Sequence, residues 1–491
     1  MGLSLALNTA RSSLLASSAQ MAVVSRNTVG ASDPAYSRKI ATLIANGGAA
    51  RVVVNRASDN ALFFKMLGTT ASAASQQAIL DGFEKLSKTI GDTQLNQSPA
   101  ARIGKLNAVL QQYAQKPDDL LLAKAALDAA KDLATGLNDA TTAVQKVRQE
   151  ADASIADSVR RVNDLLNRFD TVNKAVINGT ASGADVSDQL DARDRILAQL
   201  SEEMAVTVVT REGNDMAIYT DSGVPLYEKV PRAVKFDPTS TFVAGTVGSA
   251  VFIDGVQVTG AGAPMPLHSG AIAGFVELRD KVAVSYQDQL DAIAKGLIEA
   301  FAESDQGPPP KLADATGLFT YPGAPALPGV ADLKGLAGTI AISSRVDPEQ
   351  GGKLDRFRDG GINLPEARYR YNPGADGTNL AFSDRLYGLS TALGAQRSFP
   401  ASLGLGATAS LQEFASSSAS WVEGGRKAAT TKMEYQTTLL GHASEALSNA
   451  TGVNRDDETA FMLQLEKSYS ASAKLISVID DMLRTLLDAV R

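Results

Sequence analysis

The sequence predicts a mainly α-helical protein with a helical bundle domain, a β-rich inserted domain, and helices at both ends whose seams can close on each other, on a partner or on copies of the chain. Three observations carry this. Both ends of the chain bear narrow apolar seams at heptad spacing, the stretch from about 60 to 200 reads as long helices, and the texture turns to strand and turn near Met204. The composition agrees, with 44% hydrophobic, 21% charged and only 5% aromatic residues, which suits helices packed through small side chains. At 491 residues the chain is long enough for several domains, each with its own core.

In the first segment Leu3, Leu7, Ala10, Leu14, Ser17, Met21 and Val24 alternate spacings of four and three, placing them on one helical stripe. Such a stripe would equally serve a helix packed on its own domain. Gly30, Asp33 and Pro34 then stop the helix, because the residue before a proline is pushed out of helical angles. From Met462 the same rhythm selects Leu465, Tyr469, Ser472, Ile476, Ile479, Leu483, Leu486 and Val490. A helix of roughly 30 residues there would be about 45 Å long.

Between the ends, Ile79, Phe83, Leu86 and Ile90 form one stripe, and Ile103, Leu106, Leu110 and Tyr113 another. Pro117 followed by Asp118 and Asp119 is a helix start, with acids at the positive end of the dipole. The helix it opens carries Ile155, Val159, Val162, Leu166, Phe169 and Val176, and Asn178-Gly179 is its expected end. AVTVVT, REGND and MAIYT read as strand, turn and strand, and VFIDGVQV is a hairpin with Asp254-Gly255 at its tip. A helix with Val282, Tyr286, Leu290, Ile293 and Leu297 on one face follows. Nine of the 18 prolines fall between Pro308 and Pro373, marking irregular structure.

The chain therefore divides into 1–40, an N-terminal coiled-coil helix and turn; 41–202, the first part of the helical domain; and 203–268, the β-rich domain. Next come 269–304, a helix returning to the helical domain; 305–378, a Pro/Gly-rich irregular connector or insertion; 379–450, the second part of the helical domain; and 451–491, the C-terminal coiled-coil helix.

Little in the sequence points to chemistry. There is no cysteine, which removes disulfides, thiolate nucleophiles and cysteine-ligated metals. Two histidines far apart, His268 and His442, do not make a zinc site, and no GxSxG elbow accompanies either. Gly404 and Gly406 lack the third glycine and the preceding strand of a dinucleotide loop, and no P-loop is present. Asp456, Asp457 and Glu458 lack the spacing of a calcium loop and suit a helix start. A net charge of −7 without a basic block argues against nucleic acid. No apolar run approaches a membrane span, and the interrupted start MGLSLALNTARSS lacks the form of a signal peptide. The expectation is a protein that assembles, with no catalytic, cofactor-binding or metal site.

The segment SRNTVGASDPAYSRK, at 25–39, resembles the N-terminal signature of bacterial flagellar axial proteins, which include rod, hook and hook-associated proteins. Asn27, Pro34, Tyr36, Ser37 and Arg38 match. Gly30 stands where asparagine is usual, Asp33 where threonine is common, and Ala35 where glycine is usual, which disfavours a strict positive-φ turn there. The final stretch, from TGVNRDDETAF to the end, resembles the C-terminal signature of the hook-associated protein 1 family. It matches at Gly452, Val453, Asn454, Asp456, Glu458, Tyr469, Ala471, Ser472, Ala473, Lys474, Ile476, Asp480, Met482 and Leu486, and departs at Glu466 and Lys467. YQDQLDAIAKGL, at 286–297, is similar to a segment that family carries after its β domain. Region 308–373 shows no such likeness.

The resemblance implies a structural subunit of the hook–filament junction of the bacterial flagellum, its N- and C-terminal helices pairing as a coiled coil, and not an enzyme. It implies an assembly interface of Leu3, Leu7, Leu14, Met21, Val24, Leu465, Tyr469, Ile476, Ile479, Leu483, Leu486 and Val490. It also gives contact roles to Asn27, Pro34, Tyr36, Ser37, Arg38, Gly452, Val453 and Asn454, with Tyr36 and Arg38 directed at neighbouring subunits. The implied partners are the hook protein, a second junction protein, copies of the chain in a ring, and a cytoplasmic export chaperone on the C-terminal segment. The implied place is extracellular, reached through the flagellar type III channel without a cleaved signal peptide. Two other readings stay open: another axial or filament subunit such as a flagellin, and a secreted hydrolase using paired carboxylates of the β domain.

Overall fold

A computed structural model of the chain describes residues 2–46, 49–90, 97–373 and 379–489. The expected fold class is borne out: long helices dominate, small sheets are inserted, and the terminal helices lie along one another. Helix α1 (Gly2–Gly30) leads through a turn into an antiparallel hairpin, β1 (Lys39–Asn46) and β2 (Ala49–Arg56), paired from Lys39↔Arg56 to Asn46↔Ala49. The hairpin lies within 41–202, the span given to the first part of the helical domain, whose helices begin at Asn60. The β-branched residues of RVVVN favour extended backbone and give β2 its character.

Helices α2 (Asn60–Ile90), α3 (Pro99–Gln115), α4 (Leu120–Ser182) and α5 (Ser187–Glu203) follow. The α3 start is capped by Ser98, with Pro99 in the first turn where its missing N–H costs nothing. Asp119 caps α4 by accepting from the N–H groups of Leu121 and Leu122 at 2.8 and 3.3 Å. At 63 residues, α4 is about 95 Å long. It passes through the expected Asn178-Gly179 stop and ends at Gly183, whose φ of 70° supplies the left-handed cap.

The β-rich part holds two three-stranded antiparallel sheets. One is β3 (Val206–Thr210), β4 (Met216–Thr220) and β5 (Pro225–Tyr227); the other is β6 (Val234–Lys235), β7 (Phe252–Ile253) and β8 (Val256–Gln257). Asp254 and Gly255 both take positive φ, 49° and 85°, as the tight β7–β8 turn demands. Helix α6 (Ala271–Glu277) continues through one π turn at Leu278–Val282 into α7 (Ala283–Ala300).

Residues 305–373 are irregular, but they are built into the body. They carry β9 (Phe319–Thr320), α8 (Leu336–Thr339), β10 (Ala341–Ile342), α9 (Arg356–Asp359) and α10 (Glu366–Tyr369), and bury Phe319, Leu336, Val346, Phe357 and Ile362 in the helical core. The buried Glu303 carboxylate anchors them, accepting from Ile362 N, Asn363 N and Arg385 Nη1 at 3.2, 3.0 and 2.8 Å. Residues 374–378 of the expected connector lie outside the described residues. Helix α11 (Asp384–Gly394), the short pair β11 (Arg397–Ser398) and β12 (Thr408–Ala409), and α12 (Leu411–Thr451) complete the body. A reciprocal Ser410–Glu413 capping box starts α12. Helix α13 (Arg455–Ala489) closes the chain.

Two apolar cores result, and α4 serves both. Its first half, from Ala123 to Ala151, packs with α3, α7, α11, α12 and the irregular region. Its second half, with Ile155, Val162, Leu166 and Phe169, packs with α5 and the β sheets.

Candidate functional site

The place where the two chain ends meet concentrates the residues singled out from the sequence. Along the α1–α13 seam, Ala10, Ser17, Val24, Leu465, Ser472 and Ile479 are buried, and Leu3, Leu7, Leu14, Met21, Ile476 and Leu483 half-buried. Each aliphatic side chain so covered removes apolar surface from water, worth about 1.5–3 kcal/mol when complete. The hydroxyls of Ser13 and Ser472 lie 3.1 Å apart across the pair. Two of the expected interface residues, Tyr469 and Leu486, are 37% and 55% exposed in the single chain. Val490 lies outside the described residues. Leu486 continues a further apolar row along α13, Leu475, Val478 and Met482, which is uncovered in the single chain.

At the inner end of the seam the turn after α1 clasps the start of α13. Asn27, buried on α1, donates from Nδ2 to the Lys39 carbonyl at 2.8 Å and to Glu458 Oε2 at 3.0 Å. Its Oδ1 accepts from the Tyr36 hydroxyl at 3.0 Å and the Lys39 N–H at 2.9 Å. Arg38 Nε reaches Glu458 Oε1 at 2.6 Å, and its N–H donates to the Thr451 carbonyl at 2.8 Å. The Glu458 carboxylate is 1% exposed, so this pair is worth more than a solvated one. Burial, with Asp188, Asp191 and Glu458 nearby, outweighs Arg26 and pushes the Tyr36 phenol up to about 12, which keeps it a donor. Tyr36 and Arg38, assigned by the resemblance to neighbouring subunits, are thus engaged within the chain.

Gly30 shows why the turn takes this path. A Cβ there would meet the Tyr36 ring at 2.6 Å, so only glycine lets the ring fold back over the helix end. Pro34 is exposed and Ser37 half-buried. At the other side Gly452 passes so close to Ser448 that a Cβ would meet its carbonyl oxygen at 2.4 Å. Asn454 caps α13, accepting from Asp456 N at 3.0 Å, and Val453 lines a cavity of about 690 Å³ beside the turn.

Sequence reasoning missed the partners of this clasp on α5. Lys39, fully buried, pairs with Asp191 and donates to the Ser187 carbonyl at 3.2 Å; its ammonium sits 4.6 Å from the Tyr36 ring centroid. Arg56 bridges Asp191 and Asp194 at 3.0 and 2.6 Å. Arg26 meets Asp185 at 3.1 Å and Asp188 at 3.8 Å, and Arg195 meets Asp33 at 2.7 Å. Burial raises the Asp194 carboxyl above its ordinary value despite Arg56 beside it. At Asp185 burial acts upward too, but hydrogen bonds from Ser187 and Arg26 hold the carboxyl below its usual range. The available signal was the three-residue period of Asp185, Asp188, Asp191 and Asp194.

Neither histidine takes part: His268 is 68% exposed at the β domain, 3.4 Å from Asp221, and His442 is exposed on α12. Among the described residues no group of three or more His, Asp or Glu side chains is arranged to hold a metal ion, and no helix is long and apolar enough to cross a membrane.

The long-helix body with its two ends clasped together has the form of an assembling subunit, and residues 444–489 match the family model of the flagellar basal body rod FlgEFG protein C-terminal domain. Residues 83–307 match that of the flagellar hook-associated protein FlgK helical domain. The two models together span more than half of the chain, and the likeness to the flagellar hook-associated proteins read from its ends is borne out. Among solved structures, the flagellar hook junction protein FlgK from Burkholderia pseudomallei aligns at 20% identity and a TM-score of 0.41 over 52% of this chain. The chain covers 46% of that structure's length. Comparison with curated proteins finds no match.

Proposed function

We propose that the chain is a structural subunit of the bacterial flagellum that forms the junction between hook and filament. The observation that carries this reading is the clasp: the two chain ends are held together by Asn27, Arg38 and Glu458, while α13 keeps an apolar row open beside its seam. A paired helix with a second uncovered apolar face is suited to packing against copies of itself. The two family matches support the flagellar setting.

In this reading the work is mechanical. The paired ends dock into a helical lattice, the long-helix body packs laterally, and the β sheets face outward. The partners are the hook protein on one side, a second junction protein on the other, and neighbouring copies in a ring. Export runs through the flagellar type III channel, with a cytoplasmic chaperone covering the C-terminal seam before assembly. The chain carries no enzymatic role.

The test uses cells lacking the gene. Bare hooks in electron micrographs, with flagellin leaking into the medium, are expected. The full chain restores filaments and one lacking residues 465–491 does not. Normal filaments on the deletion strain would overturn the reading.

A further inference from the structure

The two apolar cores come close along α4 without merging. Its last residue in the first core is Ala151, and its first in the second is Ile155. The same break recurs beside it. Helix α2 gives Leu67 to the second core and Phe83 to the first, and the α6–α7 stretch gives Ile272 to the second and Leu278 to the first. Among the described residues, the half-buried Phe275 is the one apolar side chain that touches both. At this level the interior is ionic. Arg279, fully buried in the π turn, donates from Nη1 to Asp152 Oδ1 at 2.5 Å and from Nε to Asp280 Oδ1 at 2.8 Å. Arg148, also buried on α4, donates from Nε to the Arg279 carbonyl at 3.0 Å.

Residues 236–251 close over this layer. They form a loop whose neck is the β6–β7 pair Lys235↔Phe252, so it springs from the second core, where Phe236 and Val251 pack. Its middle is tied to the first half of the body. The carbonyls of Val243 and Thr246 accept from Arg148, the former at 3.3 Å, and the Phe242 ring centroid lies 4.8 Å from that guanidinium. The Ser249 carbonyl accepts from Arg279 Nη2 at 2.8 Å, and the Thr239 N–H donates to Asp152 Oδ2 at 2.8 Å. Ala244 reaches the foot of α8, where a Cβ on Gly335 would meet its methyl at 3.2 Å. Gly248 passes so close to Arg279 that a Cβ would meet the guanidinium at 2.3 Å. That side chain is held by Asp152, Asp280 and Ser249 and has no room to step aside.

We propose that loop 236–251 is a clip that couples the two cores into one cooperative body. Each core keeps its own burial gain, so no shared apolar surface obliges them to open together. The ionic layer between them holds only while every member is paired, because a buried charge that loses its partner is costly. The loop supplies that pairing through four backbone groups, those of Thr239, Val243, Thr246 and Ser249. With the clip seated, both halves of α4 belong to one unit. With it displaced, the β-bearing half opens by itself and the helical half stays folded, in the manner of a subglobal opening. The clip thus decides whether the sheets move with the long-helix body or apart from it. This inference concerns the body alone and depends neither on the chain ends nor on the flagellar reading.

The test places one reporter in each core of the full chain. Trp421, the single tryptophan, packs on the first core with its ring 6.0 Å from that of Phe83, and its fluorescence follows that core. The second core receives Val258→Cys, a buried position in a chain with no cysteine of its own, read by pulsed alkylation. In this parent both signals are expected to change at one urea midpoint. In Gly248→Ala and in Arg279→Gln, alkylation should move at least about 1 M urea below the Trp421 midpoint. Val247→Ser, on the same loop but 87% exposed, should leave the two together. Should Arg279→Gln fail to fold by circular dichroism, Gly248→Ala decides. Two midpoints already in the parent, midpoints that stay together in Gly248→Ala, or an equal split in Val247→Ser would overturn the proposal.

Discussion

Asn27 and Glu458 are 431 residues apart in sequence and 3.0 Å apart in space, both buried, one on the first helix and the other on the last. The contact closes the chain on itself. The same carboxylate takes Arg38, and the same amide takes Tyr36, so two half-buried side chains close over the buried pair.

Glu458→Ala is expected to release this clasp. It leaves the Asn27 amide one partner short and the Arg38 guanidinium without its carboxylate, a loss of about 2–4 kcal/mol for docking of α13. Hydrogen exchange in residues 455–480 should quicken strongly, while α3 and the first half of α4 keep their protection. Equal loss across the molecule would instead place Glu458 in global stability.

Gly30→Ala is expected to destabilise the turn by about 1–3 kcal/mol, because the added methyl meets the Tyr36 ring. In a Tyr36→Ala background the same change should cost almost nothing. A thermal double-mutant cycle reads the coupling directly, and additive losses would show that the ring is not what Gly30 accommodates.

Asp291 on α7 gives a pH-dependent contribution. Its carboxylate accepts from Gly335 N and Ala337 N at 2.8 and 2.9 Å and from Gln287 at 3.0 Å, pinning α8. Burial nonetheless dominates those bonds and raises it to about 6 from an ordinary 3.8. A folded value above the unfolded one means the folded chain holds the proton more tightly. Its stabilisation is fully present below about pH 4 and is lost as pH rises through about 6, by at most about 3 kcal/mol. Denaturant titrations should show this slope in the parent and a flatter one in Asp291→Asn.

The seam residues should separate pairing from assembly. Leu465→Asp puts a charge into a buried position and is expected to undock α13 in the isolated chain, seen as lost exchange protection in α1. Leu486→Ser and Leu475→Ser change side chains that are exposed in the single chain, so its stability should shift by less than about 0.5 kcal/mol. In the proposed function they block filament growth on hooks, observed by electron microscopy. Filaments of normal number with both serine variants would remove that face from the interface.

The sequence by itself determined the helices, most of their caps, the β7–β8 turn and the apolar seam at each end, because these depend on residue periodicity and on local backbone chemistry. A heptad stripe at each terminus and the Asp254-Gly255 dipeptide are visible without neighbours. Only the tertiary structure decided what those elements meet. The packing of the β1–β2 hairpin beside α1 and the burial of residues 305–373 in the helical core have no local signature. Tyr469 and Leu486 keep the right period yet stay exposed, since two helices in contact cover only part of each stripe and the crossing angle, not the spacing, selects which part. The same holds for the ion pairs at Asp191. The period of Asp188, Asp191 and Asp194 marks an acidic face on α5, but only the fold sets Lys39 and Arg56 against it, because which cation meets which acid is a property of geometry.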